Sequence, residues 1–302
     1  MINNSSEKKY AVALGYFDGL HLAHRAVINE AVKYENKGYI PAVMLFSEHP
    51  RKVISGDDVP FLLQKEKRDE LLSLMGVKPL FVSFSEIKDM SPEEFIEKIL
   101  INKFNVGAVT CGYNYRFGKN GVGDSEKLLE ICKQHNIEAV VCTEITLDGE
   151  NVSSTKIRNA VTGGEIEKAN KMLGFTFGFS SRIFTGDKRG RLLGTPTINQ
   201  FLPEGLIVPR FGVYASRVYF DGNEYIGVTN IGSRPTFDGE SVRSETYIIG
   251  FNGDLYGKTV EIKLHKFIRE EKKFPDGDTL KAQISRDIKV TEEHFTSQNK
   301  KI

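Results

Sequence analysis

The chain has 302 residues, 40% of them hydrophobic and 27% charged, with 41 basic against 40 acidic side chains. That profile belongs to an ordinary globular protein, and the balanced charge gives no case for nucleic-acid or anionic-membrane binding. The length suits two domains of roughly 100–180 residues, each able to bury its own core.

The first half alternates apolar runs with helical patterns. "YAVAL" (10–14) precedes a helical stretch from about 20 to 36, closed by Asn36 and Gly38, and "IPAVMLFS" (40–47) is a second strand candidate. "QKEKRDELLSLMG" (64–76) reads as an amphipathic helix and "PLFVSFS" (79–85) as a strand. In "SPEEFIEKILINKF", Ser91 is the expected N-cap, Pro92 suits the first helical position, and Glu94 completes a capping box. "VGAVTCG" (106–112), a helix from Asp124 to about His135, and "EAVVCTEI" (138–145) continue the series. Such alternation predicts an α/β domain with a doubly wound parallel sheet. Cys111, Cys132 and Cys142 show no CxxC spacing and sit in apolar or helical contexts, so reduced, packed thiols and a cytoplasmic setting are expected. Neither an apolar signal core in "MINNSSEKKY" nor any run of 18 apolar residues is present, so no leader and no membrane span are expected.

After residue 177 the pattern changes. Apolar runs joined at Asp221-Gly222 and at Asn252-Gly253 read as two hairpins, and a helix is expected over about 276–295. Strands without intervening helices predict a small antiparallel β-barrel with a terminal helix. The boundary falls in "GFTFGFSS", giving domains over 1–176 and 177–302. Oligomeric state stays open, a homo-oligomer included.

Three stretches of the first half carry polar groups suited to chemistry. In "GYFDGLHLAH", Gly15 follows the first strand, and His21 and His24 share one face of the next helix's first turn. They read either as solvated or metal-binding histidines, or as donors to phosphate oxygens at the carboxyl end of a parallel sheet. "VSSTKIRNA" (152–160) reads either as a helix capped by Ser153 or Ser154, or as a polyphosphate clamp with Arg158. "CGYNYRFGKNGVGD" (111–124) is a strand end opening into a Gly-rich loop, a usual place for substrate contacts.

In the second half, "GDKRGRLLGTPTIN" (186–199) is no Walker A motif. Gly186, Lys188, Gly190 and Arg191 form either a basic turn or a nucleotide-phosphate loop. Thr197 and Asn199 lie on one side of an extended segment, where their oxygens could hold a hard cation such as Mg²⁺. Glu245 in "SETYII" is either a solvated strand residue or a base for a substrate hydroxyl.

Taken in order, "GYFDGLHLAH", "LFSEHP", "CGYNYRFGKNGVGD", "SSTKIR", "GTPTIN", "FGVYA", "NIGSRPTF", "SETYIIGFNGDLYG" and "IREEKKF" resemble the bacterial bifunctional riboflavin kinase/FAD synthetases, over about residues 10–296. The resemblance implies an enzyme that phosphorylates riboflavin with ATP to FMN and then adenylylates FMN to FAD and pyrophosphate. It implies His21 and His24 on ATP phosphates, with Gly15, Phe17 and Asp18 in the same substrate-binding motif. It further implies Asn114 near nucleotide and metal, and Ser154, Thr155 and Arg158 in a serine-rich phosphate motif. In the kinase half it implies Thr197 and Asn199 on Mg²⁺–nucleotide, Glu245 as base on the ribityl 5′-hydroxyl, and Arg269 and Phe274 near the flavin. Two positions depart from the family pattern: Ala23 stands where H-x-G-H has glycine, and Lys156 where S-S-T-R-I-R has arginine. These departures leave two further readings of the sequence, a riboflavin kinase with weakened or lost adenylyl transfer and a flavin-binding regulatory protein.

Overall fold

A computed structural model describes residues 8–185, 195–236 and 239–299. Contacts group 1–59 with 65–154 in one compact unit, and 60–64 with 155–302 in a second. The expected nucleotide loop residues Gly186, Lys188, Gly190 and Arg191 lie outside the described residues.

The first unit is built on five parallel strands, β1 (Tyr10–Leu14), β2 (Ile40–Phe46), β3 (Lys78–Val82), β4 (Val106–Gly112) and β5 (Glu138–Cys142), in the order β3-β2-β1-β4-β5. The central strands are apolar on both faces because both are covered. Val12, Leu14, Met44, Val109 and Cys111 pack into one core, with Ala11 and Ala108 beneath Tyr34 in another. Helix α1 (Leu22–Lys33) lies on the sheet, tied by the buried Thr110 hydroxyl, which donates to the Val27 carbonyl at 2.8 Å. Helices α2 (Pro50–Ser55), α3 (Lys65–Leu74) and the single-turn α4 (Phe84–Ile87) follow β2 and β3. The capping box is formed, Glu94 N–H donating to Ser91 Oγ at 3.1 Å and Ser91 N–H to Glu94 Oε2 at 3.0 Å. Only α5 (Pro92–Glu94) is α-helical, however. Phe95–Lys103 continues as a π-helix whose Phe95, Ile96, Ile99 and Leu100 are buried. Asp124 caps α6 (Ser125–Gln134) through the Lys127 N–H at 2.9 Å. A two-stranded ribbon of β6 (Thr146–Leu147) and β7 (Glu150–Asn151) follows β5. Sheet order reverses at β1, which places a crevice at the carboxyl ends of β1 and β4.

The second unit is a closed antiparallel barrel in the order β10-β11-β12-β9-β8-β13. Its strands are β8 (Gly178–Phe184), β9 (Thr197–Phe201), β10 (Gly212–Phe220), β11 (Asn223–Thr236), β12 (Gly239–Ile248) and β13 (Thr259–Arg269). Helices α7 (Ser154–Gly163) and α8 (Ile166–Leu173) precede it and α9 (Gly277–Asn299) follows it. Asn170 of α8 donates to the Leu264 carbonyl at 2.9 Å and accepts from the Phe177 N–H at 2.7 Å, so α8 is fastened to the barrel. Gln64 makes a reciprocal pair with the Ser180 backbone, at 2.7 and 3.0 Å. Asp221 and Gly222, both at positive φ, close the β10–β11 hairpin as expected. The hairpin expected at Asn252-Gly253 does not form. β12 pairs with β11 and β9 while β13 pairs with β10 and β8, so residues 249–258 bridge strands that are not neighbours. Barrel closure outranks the local turn signal there, and the left-handed positions fall at Gly250 and Gly257 instead.

Candidate active sites

The crevice of the first unit opens into a cavity of about 490 Å³ lined by Gly15, Phe17, His21, Ala23, His24, Asn114 and Ser154. The loop between β1 and α1 shapes it. Phe17 (φ 50°) and Leu20 (φ 43°) hold left-handed conformations that side chains seldom adopt, and both are buried. A Cβ on Gly15 would stand 2.9 Å from Phe17 Cζ, so the missing side chain makes room for that ring. Phe17 in turn meets His24 edge-on at 5.1 Å.

His21 is the N-cap of α1, its Nδ1 accepting from the His24 N–H at 3.3 Å. The proton of the neutral ring therefore sits on Nε2, 3.2 Å from Ser154 Oγ. Ser154 Oγ donates to Asp18 Oδ1 at 2.8 Å, and Asp18 and His21 are both buried. Residues far apart in sequence thus form one relay, Asp18–Ser154–His21. The His21 and His24 rings stack at 3.6 Å and 18°. Two imidazoles at a helix N-terminus, beside a backbone that supplies N–H donors, are groups able to donate hydrogen bonds to an anion. Thr155 follows Ser154 in α7 and is exposed, and the Arg158 guanidinium donates to the Pro60 carbonyl at 2.9 Å.

Other lining residues have no role assigned from the sequence. Phe46, Phe84 and Phe95 give the cavity an apolar wall, with Tyr113, Tyr115 and Cys142 also lining it. Burial raises the Tyr115 and Cys142 pKa values, keeping both neutral. Cys111 and Cys132 are free, buried, and pushed up to about 12 by desolvation, which fits packed thiols.

In the barrel, Thr197 lines a cavity of about 290 Å³ with Ile183, Phe251, Asp254 and Tyr256. Gln200 is buried, whereas Thr197 and Asn199 stand opposite Tyr247 and Glu245 on β12. Asn199 and Glu245 are therefore directly cross-strand on one face. Glu245 is ion-paired with Arg234, a residue of "NIGSRPTF" to which the motif alone assigns no role. The hydroxyl and amide oxygens of Thr197 and Asn199 are hard, neutral donors that fit Mg²⁺ arriving with nucleotide phosphates. Among the described residues no three His, Cys, Asp or Glu side chains gather as a metal site of their own.

Arg269 is placed differently. Its Nε and Nη2 grip Asp287 of α9 at 2.7–3.1 Å, and its guanidinium lies 5.7 Å from the Phe274 ring centroid. The Arg269–Asp287 pair joins the barrel to its terminal helix.

The family model described as FAD synthetase matches residues 3–156, and the one described as riboflavin kinase matches 173–295. The bifunctional riboflavin kinase/FMN adenylyltransferase of Listeria monocytogenes is 35% identical over 292 residues, covering 94% of this chain and 92% of that one. The chain belongs to this bifunctional family. The Bacillus subtilis member is 35% identical over 302 residues (97% of this chain, 95% of its own), and that of Escherichia coli K12 31% over 299 (97% and 95%). A crystal structure described as a macrolide-efflux protein from Streptococcus pneumoniae superposes with TM-score 0.87 at 29% identity, covering 95% of each chain. In this chain no helix among the described residues is long and apolar enough to cross a membrane.

Proposed function

We propose that this chain phosphorylates riboflavin with ATP to give FMN, and then transfers AMP from a second ATP to FMN, giving FAD and pyrophosphate. The observation that carries the reading is the succession of two family matches along the chain, each falling on a segment with its own cavity.

In the kinase step the ribityl 5′-hydroxyl attacks the γ-phosphorus of ATP and ADP leaves. Glu245 takes the hydroxyl proton, and Thr197 and Asn199 hold Mg²⁺, which would neutralise phosphate charge when bound. In the adenylyl step an FMN phosphate oxygen attacks the α-phosphorus and pyrophosphate departs. His21 and His24 bind the phosphates and stabilise the charge that develops, with Asn114, Ser154, Thr155 and Arg158 as further nucleotide contacts. The Asp18–Ser154–His21 relay holds the His21 ring and its tautomer in place. Ala23 and Lys156 leave that relay intact, which favours adenylyl transfer over its loss. The domain division at 176/177, a cytoplasmic setting and ATP as the phosphate source belong to the same proposal.

Separate assays of the two steps in point variants test it. His21→Ala and His24→Ala are expected to lower FAD formation about 10²-fold or more while sparing FMN formation. Glu245→Gln is expected to lower FMN formation by about 10²–10⁴-fold while sparing adenylylation of supplied FMN. Loss of both activities in every variant would contradict two independent centres.

A further inference from the structure

The outward face of the barrel around Glu245 holds a group that the kinase chemistry above does not use. Arg234 Nη2 donates to Glu245 Oε1 in a charge-assisted contact. The two residues are not cross-strand neighbours. Asn230 is opposite Glu245, and Arg234 lies four residues further along β11, opposite Ser241. At the strand rise, that offset is roughly 13 Å of backbone. Both side chains must therefore lie extended along the sheet to meet, which leaves each few rotamers.

The surroundings explain why this contact orders the carboxylate. Asn199 of β9 flanks Glu245 on one side and Asn230 of β11 on the other. The Asn230 amide donates to Glu271 at 2.8 Å. Arg243, on the same face of β12, is engaged by the rings of Phe184 and Phe201, its guanidinium 5.3 and 4.9 Å from their centroids. Among the described residues, Arg234 is the cation that grips the Glu245 carboxylate. An ion pair of this exposure adds little to stability, so its value lies in where it fixes the carboxylate.

We propose that Arg234 is a positioning residue of the kinase centre, holding the Glu245 carboxylate oriented for proton removal from the substrate hydroxyl. The inference rests on the assignment of Glu245 as base. It gives Arg234 no contact of its own with nucleotide: its effect on turnover passes through Glu245.

The test is steady-state riboflavin phosphorylation by the full chain in Arg234→Ala, Arg234→Lys, Glu245→Gln and the Arg234→Ala/Glu245→Gln double variant. Thermal unfolding of each preparation by differential scanning calorimetry reports that the barrel is folded. Arg234→Ala is expected to lower kcat about 10–100-fold with KM for riboflavin and ATP within about 2-fold, and Arg234→Lys to recover much of that loss. In the Glu245→Gln background, removing Arg234 is expected to change kcat by less than about 2-fold, because the group it positions is already gone. A raised KM for ATP at constant kcat, or a double variant in which both losses multiply, would overturn the proposal by giving Arg234 a direct role at phosphate. A slow Glu245→Gln beside a fully active Arg234→Ala would overturn it alone. Parental turnover in Glu245→Gln would remove the base assignment itself.

Discussion

Removing Asp287 should loosen the second unit by exposing how Arg269 is used. Arg269 and Asp287 form a bidentate pair whose side chains are 17% and 3% exposed, and Gln283 Nε2 donates to the same carboxylate at 2.9 Å. Asp287→Ala leaves the guanidinium and the Gln283 amide without their acceptor in a site that solvent barely reaches. Deleting one partner of a buried ion pair costs about 3–5 kcal/mol, and the partial exposure of Arg269 points to the lower end. For a unit of roughly 150 residues, about 3 kcal/mol corresponds to a fall in Tm of about 6–12 °C. Differential scanning calorimetry reads this directly. The paired change Arg269→Met with Asp287→Leu should recover most of the loss, since apolar replacement of a buried ion pair is often neutral. A single Asp287→Ala variant within 2 °C of the parent, with a raised KM for riboflavin, would refute the argument and return Arg269 to the flavin.

Acid should weaken the barrel through His265, whose pKa burial lowers to about 4, with Arg217, His294 and Lys263 adding to the effect. The unfolded chain takes up that proton near pH 6.5 and the folded chain does not, so the stability present above pH 6.5 is lost as pH falls towards 4. His265→Gln should reduce the urea-measured loss between pH 7 and 4.5 by about 2 kcal/mol after allowance for solvent screening, and a variant as acid-sensitive as the parent would refute this. Gly15→Ala should impair FAD formation and leave FMN formation unchanged, because its Cβ would press on the Phe17 ring at 2.9 Å; equal rates of both steps would show that the loop yields. Ala23→Gly should lower KM for ATP in FAD formation while costing about 1 kcal/mol of helix stability, measured by kinetics and thermal unfolding together.

Much of this architecture is legible in the sequence because its signals are local. Apolar runs such as "YAVAL" alternate with capped helices, and the Ser91/Glu94 box is formed as its spacing predicts. Asp221-Gly222 likewise makes its turn from two residues that accept positive φ. What escapes is set by tertiary pairing. Asn252-Gly253 carries the same turn signal, yet barrel closure sends β12 to β9 rather than to β13. The link from Asp18 through Ser154 to His21 joins loops 133 or more residues apart, and no spacing rule connects them. Arg234 reaches Glu245 along the barrel surface, and Arg269 finds Asp287 on a helix that follows its strand. Each residue type was visible, but its partner was decided by the fold.

The central claim is that one chain carries both reactions, and product analysis tests it most directly. Purified protein is incubated with riboflavin, ATP and Mg²⁺, and the flavins are separated by chromatography over time. FMN should appear first and FAD should follow as FMN is consumed, with pyrophosphate released in step with FAD. FMN that accumulates without conversion would contradict an active first unit, and unchanged riboflavin would contradict the account as a whole.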